Sequence, residues 1–109
     1  MITIDDFNKI DIRVGTITNV EENVKAKKPA YKLTIDFGQE LGIKISSAQI
    51  TQNYKPKDLI GIQIIAVVNF PPINVAGVNS EVLVLGSKSK QGIVLTTPKE
   101  MVENGDIIY

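Results

Sequence analysis

The chain has 109 residues, of which 43% are hydrophobic and 22% charged, and its 12 basic residues balance 12 acidic ones. These values are typical of one globular domain spanning residues 1–109, and no apolar run approaches the ~18 residues that insertion across a membrane needs. Because cysteine and histidine are both absent, disulfides, thiolate metal sites and an imidazole general base are excluded, and we expect a cytoplasmic protein with no enzymatic activity, metal or cofactor.

The N-terminal residues 1–9, MITIDDFNK, carry acids where a secretion signal needs basic residues followed by an apolar stretch. Thr3 is instead a good first residue for a helix, and Asp5 and Asp6 complement the positive end of the helix dipole. The pattern therefore predicts one short helical turn between residues 3 and 10.

Residues 12–22, IRVGTITNVEE, have the composition of a strand with one irregularity. Ile12 and Val14 share one phase of the alternation, whereas Ile17 has the opposite phase. A glycine inside a strand pattern often marks a bulge or a bend, so we expect Gly15 to lie at this change of phase. A strand bent in this way can serve two regions of one sheet, as the first strand of a small barrel must.

Residues 31–37, YKLTIDF, alternate cleanly between apolar and polar side chains and predict a half-buried strand. Residues 42–49, GIKISSAQ, predict a second strand, in which Ile43 and Ile45 face inward. If the two strands pair as a hairpin, their polar side chains should share the outer face of the sheet. That face would consist of Lys32, Thr34, Lys44 and Ser46.

The second half of the chain predicts further short strands. Residues 54–59 read as a loop or one helical turn, and the runs 62–70 and 80–86 are apolar in both phases, which favours strands covered on both sides. Residues 92–97 predict a shorter strand, and the Asn-Gly pair at 104–105 predicts a turn. Several short strands with a helical piece between the third and fourth indicate an all-β, five-stranded OB-fold Greek-key barrel with N- and C-terminal extensions.

In such a barrel the ligand lies on strands 2 and 3, between the first and fourth connections. These connections are residues 23–30 and 71–79, so both should lie at the rim of one groove. Residues 25–57 hold seven lysines against Asp36 and Glu40, a net charge of +5 that the rest of the chain must cancel. This basic half suits RNA or single-stranded nucleic acid, although lysines on a solvated sheet face are equally compatible with it.

The connection within residues 69–86 is unusually apolar for a loop of a globular protein. We expect it to be rigid, because its two prolines fix φ and prevent pairing as a strand edge. Its apolar side chains should contact an extended polypeptide or a second subunit. The set is Phe70, Pro71, Pro72, Ile73, Val75, Val78 and Leu83. By their strand phase, the aromatic residues Tyr31, Phe37 and Phe70 are expected in the core rather than as platforms for stacked bases.

Four stretches of the chain carry a family resemblance: DIRVG (11–15), AYKLTIDFG (30–38), KISSAQIT (44–51) and NFPPINVAGVNSEVLVLG (69–86). Together they resemble the CsaA-like proteins, a group described as protein-export chaperones and as relatives of the tRNA-binding domain family. The resemblance implies an OB fold, a homodimer and no known catalysis. It implies tRNA or structured RNA as the partner, or alternatively unfolded or pre-secretory polypeptides.

The wider family has a motif that resembles N-L-x-P, then M-R-G, then S-x-G-M, which this chain matches at Asn69, Pro72, Gly77 and Ser80. Ala76 stands where that family has arginine, so one cation near the RNA is absent. Ser46, Ser47 and Gln49 fit the CsaA-like pattern, and their polar groups suit contacts with phosphate, ribose or base edges, or else cap the strand end. The predicted RNA-binding set is Lys25, Lys27, Lys28, Lys32, Lys44, Ser46, Ser47, Gln49, Asn69 and Ser80.

Overall fold

A computed structural model describes all of residues 1–109. Its three helices are α1 (Ile4–Phe7), α2 (Gly38–Leu41) and α3 (Pro56–Leu59). Its nine strands are β1 (Ile12–Glu22), β2 (Tyr31–Asp36), β3 (Ile43–Ala48), β4 (Gln63–Val67), β5 (Ile73–Val75), β6 (Val78–Ser80), β7 (Leu83–Val84), β8 (Gly86–Ser89) and β9 (Gly92–Leu95). Each helix has four residues, and none is long enough to cross a membrane.

Helix α1 forms where the sequence predicts it, because Thr3 and Asp6 cap each other. The Asp6 backbone N–H donates to Thr3 Oγ1 at 3.4 Å, and the Thr3 N–H donates to Asp6 Oδ2 at 3.0 Å. The Thr3 backbone N–H stabilises the ionised carboxylate and lowers the pKa of Asp6 below its ordinary value. The capping box thus fixes the start of α1, the helix that precedes β1.

Five strands form one antiparallel sheet in the order β3-β2-β1-β4-β7. Its two ends approach each other, since the Glu81 N–H donates to the Ile45 carbonyl at 2.8 Å and Ser46 Oγ donates to the Val82 carbonyl at 2.9 Å. With α3 between β3 and β4, the sheet is a nearly closed barrel of the OB type. The predicted fold class is confirmed.

Strand β1 serves two regions of the sheet, as expected. Residues 12–16 pair with β4 and residues 16–22 pair with β2. The register shifts between Ile17 and Asn19, so the bulge lies at Thr18 and not at the predicted Gly15. Ordinary alternation already puts Ile12 and Ile17 on opposite sides of the strand, Ile12 in a second apolar cluster and Ile17 in the main core. The extra residue at Thr18 then returns Val20 to the same side as Ile17, so that both lie in the main core.

Gly15 is required for another reason, which is the close packing of β2 against β1. A Cβ atom at this position would lie 2.6 Å from Cγ2 of Ile35 and 2.8 Å from the ring of Phe37. Both of these side chains are fully buried in the main core. Glycine therefore lets the strands bend tightly over the core without a steric clash.

The predicted phase of β3 is wrong. Ser46 is 1% exposed and Ile43 is 56% exposed, the reverse of the expectation. Lys44 and Ser46 lie opposite the buried Ile35 and Leu33 of β2, and directly opposed residues share one face of a sheet. The proposed outer face of Lys32, Thr34, Lys44 and Ser46 is therefore divided between both sides, because the bonds that close the barrel require Ser46 to point inward.

Residues 69–86 differ from the prediction in two ways. The loop forms a hairpin of its own, β5–β6, around a two-residue turn at Ala76 and Gly77, whose φ values of 50° and 87° match the positive angles of a type I′ turn. The run after it is broken: β7 has only two residues, and Leu83 is 50% exposed rather than covered on both sides. The β4 strand, in contrast, is buried along its whole length as predicted.

The C-terminal extension packs along β1. The Val14 N–H donates to the Asp106 carbonyl at 3.0 Å, and the Ile108 N–H donates to the Ile12 carbonyl at 2.9 Å. Arg13 holds the same region, since its guanidinium donates to Asp11 at 2.6 Å, to Glu40 at 3.0 Å and to the Gly105 carbonyl at 3.1 Å. The hydrogen bond to Asp11 chiefly raises the pKa of Arg13, so this anchor stays charged.

Candidate functional site

The first loop, residues 23–30, meets the β5–β6 hairpin at one rim of the barrel, as the sequence predicts. Asn23 Nδ2 donates to the Val75 carbonyl at 3.2 Å. The Lys25 side chain lies over the turn, where a Cβ atom on Gly77 would be 3.7 Å from Lys25 Cδ. The two connections therefore form one continuous surface.

The five lysines predicted to bind RNA fall into two groups. Lys32 faces Glu21 across β1 and β2, with 3.6 Å between Nζ and Oε2, and Lys44 lies 3.9 Å from Oε2 of Glu81. Lys25, Lys27 and Lys28 are exposed in the first loop and form no ion pair. Only this second group is free of ion pairs, although Glu22 lines a cavity beside Lys25 and another beside Lys27.

The five uncharged polar residues predicted to bind RNA also fall into two groups, those with hydrogen bonds inside the protein and those without. Ser46 is bonded to the Val82 carbonyl, and Ser80 Oγ accepts the Ser47 N–H at 3.0 Å, so both hold the barrel together. Asn69 uses both ends of its amide, accepting from the Asp11 N–H at 3.0 Å and donating to the Lys9 carbonyl at 2.8 Å. The Ser47 hydroxyl and the exposed Gln49 amide make no such bonds and remain available to a ligand.

An apolar groove of about 440 Å³ lies between the hairpin and the barrel. Its apolar lining is Phe70, Pro71, Ile73, Val75, Val82 and Leu83, while Pro72 and Val78 lie outside it. Phe70 is 50% exposed, so its predicted place in the core is wrong, whereas Tyr31 and Phe37 are buried as expected. Phe70 follows the end of β4 at the groove, where its ring is not covered by the barrel.

Sequence reasoning missed Glu81, which connects the groove to the barrel. Its Oε1 accepts the Ile45 N–H at 3.1 Å, its Oε2 is the partner of Lys44, and its side chain borders the groove. The contacts join residues 36 positions apart in the chain, so no local pattern indicates them.

Comparisons with known proteins agree with this geometry. A family model described as "Putative tRNA binding domain" matches residues 12–107. The structure is similar to that of CsaA chaperone protein from Picrophilus torridus, with 57% sequence identity, a TM-score of 0.96 and coverage of 100% of each chain. It is also similar to chaperone CsaA from Bacillus anthracis strain Ames, with 54% identity, a TM-score of 0.93 and coverage of 100% of this chain and 99% of that one.

Among curated proteins, the chain is 36% identical over 110 residues to the methionine–tRNA ligase of Methanococcoides burtonii. This match covers 100% of the chain and 16% of the ligase. The chain thus spans about a sixth of the length of such relatives.

Proposed function

The chain belongs to the tRNA-binding domain family, and from this premise we propose that it binds tRNA or another structured RNA through Lys25, Lys27 and Lys28. The observation that carries the proposal is that these three lysines are exposed, have no ionic partner and lie in a loop without any acidic residue. Ammonium groups of this kind neutralise phosphates and release counterions, which is the main source of affinity for nucleic acids.

The other residues predicted to bind RNA contribute less to its affinity in this proposal. Lys32 and Lys44 contribute less because Glu21 and Glu81 already neutralise them. Ser47 and Gln49 add hydrogen bonds to phosphate or ribose, which position the RNA without reading its sequence. Tyr31 and Phe37 are buried, and the half-exposed Phe70 lies in the apolar groove rather than in the first loop. We therefore propose that recognition rests on the backbone and shape of the RNA.

We further infer that the domain binds without catalysing a reaction. In support, the chain corresponds to 16% of the length of a matched methionine–tRNA ligase. The description of its family names tRNA binding and no reaction. A cytoplasmic location is part of the same proposal, because it rests on tRNA as the ligand.

The test is the triple variant Lys25→Glu, Lys27→Glu, Lys28→Glu in a filter-binding assay with tRNA. We expect it to lose most of its affinity with an unchanged unfolding midpoint, because all three side chains are exposed. The matched comparison is Lys27→Glu against Lys99→Glu, an exposed lysine elsewhere in the chain that also forms no ion pair. Unchanged tRNA binding by the triple variant would refute the assignment.

The apolar groove favours a second function, the binding of unfolded or pre-secretory polypeptide. Its lining of proline, phenylalanine and aliphatic side chains suits extended chain segments. The proteins of similar structure named CsaA chaperone support this reading. Phe70, Ile73 and Leu83, each at least half exposed, would then contact the polypeptide directly.

We also propose that two copies of the chain form a homodimer through their terminal segments. Exposed apolar side chains at both termini support this arrangement, and water exposure of so many is unfavourable in a monomer. They are Met1, Ile2, Ile4, Met101, Val102, Ile107 and Tyr109. A dimer formed in this way leaves the groove free for a ligand.

A further inference from the structure

The β8–β9 hairpin, residues 86–95, stands apart from the barrel sheet. It forms a two-stranded sheet of its own, and all four residues of β8 are exposed. Lys88 and Lys90 lie at its tip and form no ion pair. An isolated two-stranded hairpin is marginally stable in water, so this one needs support from its neighbours.

That support comes from residues 51–54, which follow β3. Asn53 Nδ2 donates to the Ile93 carbonyl at 3.0 Å, and the Leu95 N–H donates to Tyr54 Oη at 3.0 Å. Gln52 packs against the turn, where a Cβ atom on Gly92 would lie 2.5 Å from its Oε1. The hairpin is thereby fixed to the segment that leads into Lys55 and Lys57.

The same segment is also joined to the first loop. Tyr31 Oη donates to the Tyr54 carbonyl at 2.7 Å, which ties residues 51–54 to the start of β2. Thr51 and Lys27 line one cavity of about 430 Å³. The first loop, the 51–57 segment and the hairpin are therefore neighbours in that order along one side of the protein.

The charge of these three segments is of one sign. Residues 23–30, 51–57 and 86–95 contain three, two and two lysines, respectively, and no aspartate or glutamate. All seven lysines are exposed, and none is in an ion pair. All 12 acidic residues of a chain with no net charge thus lie elsewhere. The three segments therefore carry a local excess of positive charge on a neutral protein. This excess is bordered by Glu22, which lines the cavity that Lys27 and Thr51 share, and by Asp58, which directly follows Lys57.

We infer that the three segments form one binding track for an RNA backbone, in which the β8–β9 hairpin makes a second contact through Lys88 and Lys90. The inference rests on the proposed tRNA binding and extends it beyond the first loop. A track of several lysines suits a folded RNA, whose phosphates are spread over a curved surface. Strand β9 covers the main core through Ile93 and Leu95, whereas β8 is exposed along its whole length. Lys88 on β8 and Lys90 in the turn supply the phosphate contacts.

The test is the double variant Lys88→Gln, Lys90→Gln. Its matched control compares the single change Lys90→Gln with Lys99→Gln, an exposed lysine outside the track that also forms no ion pair. For the hairpin variant, the slope of the logarithm of tRNA affinity against the logarithm of salt concentration should fall by about 1 to 2 in magnitude. Its affinity at 0.1 M salt should fall about five- to tenfold for each lost phosphate contact. The variant Lys88→Arg, Lys90→Arg should retain both properties, since it keeps the charge.

Each outcome has a distinct meaning. Wild-type protein that binds no tRNA at low salt would refute the proposed function and the track with it. If the wild type binds tRNA but the hairpin variant keeps the wild-type slope, the track is refuted and the proposed function stands. The same holds if the control Lys99→Gln loses as much tRNA affinity as Lys90→Gln. The unfolding midpoint of each variant is measured in urea. Equal midpoints establish that the differences in tRNA affinity and in its salt dependence arise from binding and not from unfolding.

Discussion

Ser46 donates its hydroxyl hydrogen to the Val82 carbonyl oxygen at 2.9 Å and so joins β3 to the segment that closes the barrel. The same residue matches a family pattern that suggested a contact with RNA. Its burial gives it a structural role, so the RNA contacts that we propose for this strand end fall to the half-buried Ser47 and the exposed Gln49.

We therefore expect Ser46→Ala to lower the free energy of unfolding by about 1–3 kcal/mol, because the buried Val82 carbonyl loses its side-chain donor. Affinity for tRNA should not change, since the side chain is buried. Urea unfolding and filter binding measure the two properties. The control is Gln49→Ala, which removes an exposed side chain and should leave stability unchanged. A tRNA-binding defect in Ser46→Ala at full stability would contradict the structural role.

The apolar groove should respond to charge placed inside it. We expect Ile73→Asp with Leu83→Asp to abolish suppression of aggregation of an unfolded client, while the dimer remains intact, because both side chains line the groove and are at least half exposed. The matched control is Val94→Asp, an exposed apolar residue on β9 outside the groove. Dissociation of subunits in the double variant would instead assign the groove to the dimer interface. If neither suppression of aggregation nor the dimer changes, the groove binds neither unfolded polypeptide nor a second subunit.

The C-terminal segment should be needed both for stability and for assembly. Deletion of Asp106–Tyr109 removes two backbone hydrogen bonds to β1 and the packing of Ile108 on the second apolar cluster. We expect a loss of about 2–4 kcal/mol of unfolding free energy and, from the proposed homodimer, monomeric or insoluble protein.

Urea unfolding and analytical ultracentrifugation measure these effects. Deletion of Tyr109 alone is the control for the contacts with β1, because it keeps both backbone hydrogen bonds and the packing of Ile108. A truncated protein that is soluble, fully dimeric and as stable as wild type would refute the prediction.

Several features of the protein follow from short stretches of sequence. The alternation in residues 31–37 identifies the buried side of β2, and Thr3 with Asp6 identifies α1, since both depend on contacts within a few residues. The order of short strands and one helical turn is sufficient to indicate an OB barrel. The family resemblance, carried by motifs along the chain, agrees with the family match.

The tertiary structure decided which face of β3 is buried and which lysines are free. The phase of β3 depends on Ser46 meeting Val82, 36 residues away, and a period-two pattern carries no information about such a partner. In the same way, Lys32 is neutralised because strand pairing places it opposite Glu21, whereas Lys88 and Lys90 stay free because their hairpin leaves the barrel. The number of charges is a property of the sequence, but their pairing depends on distances that only the folded chain sets.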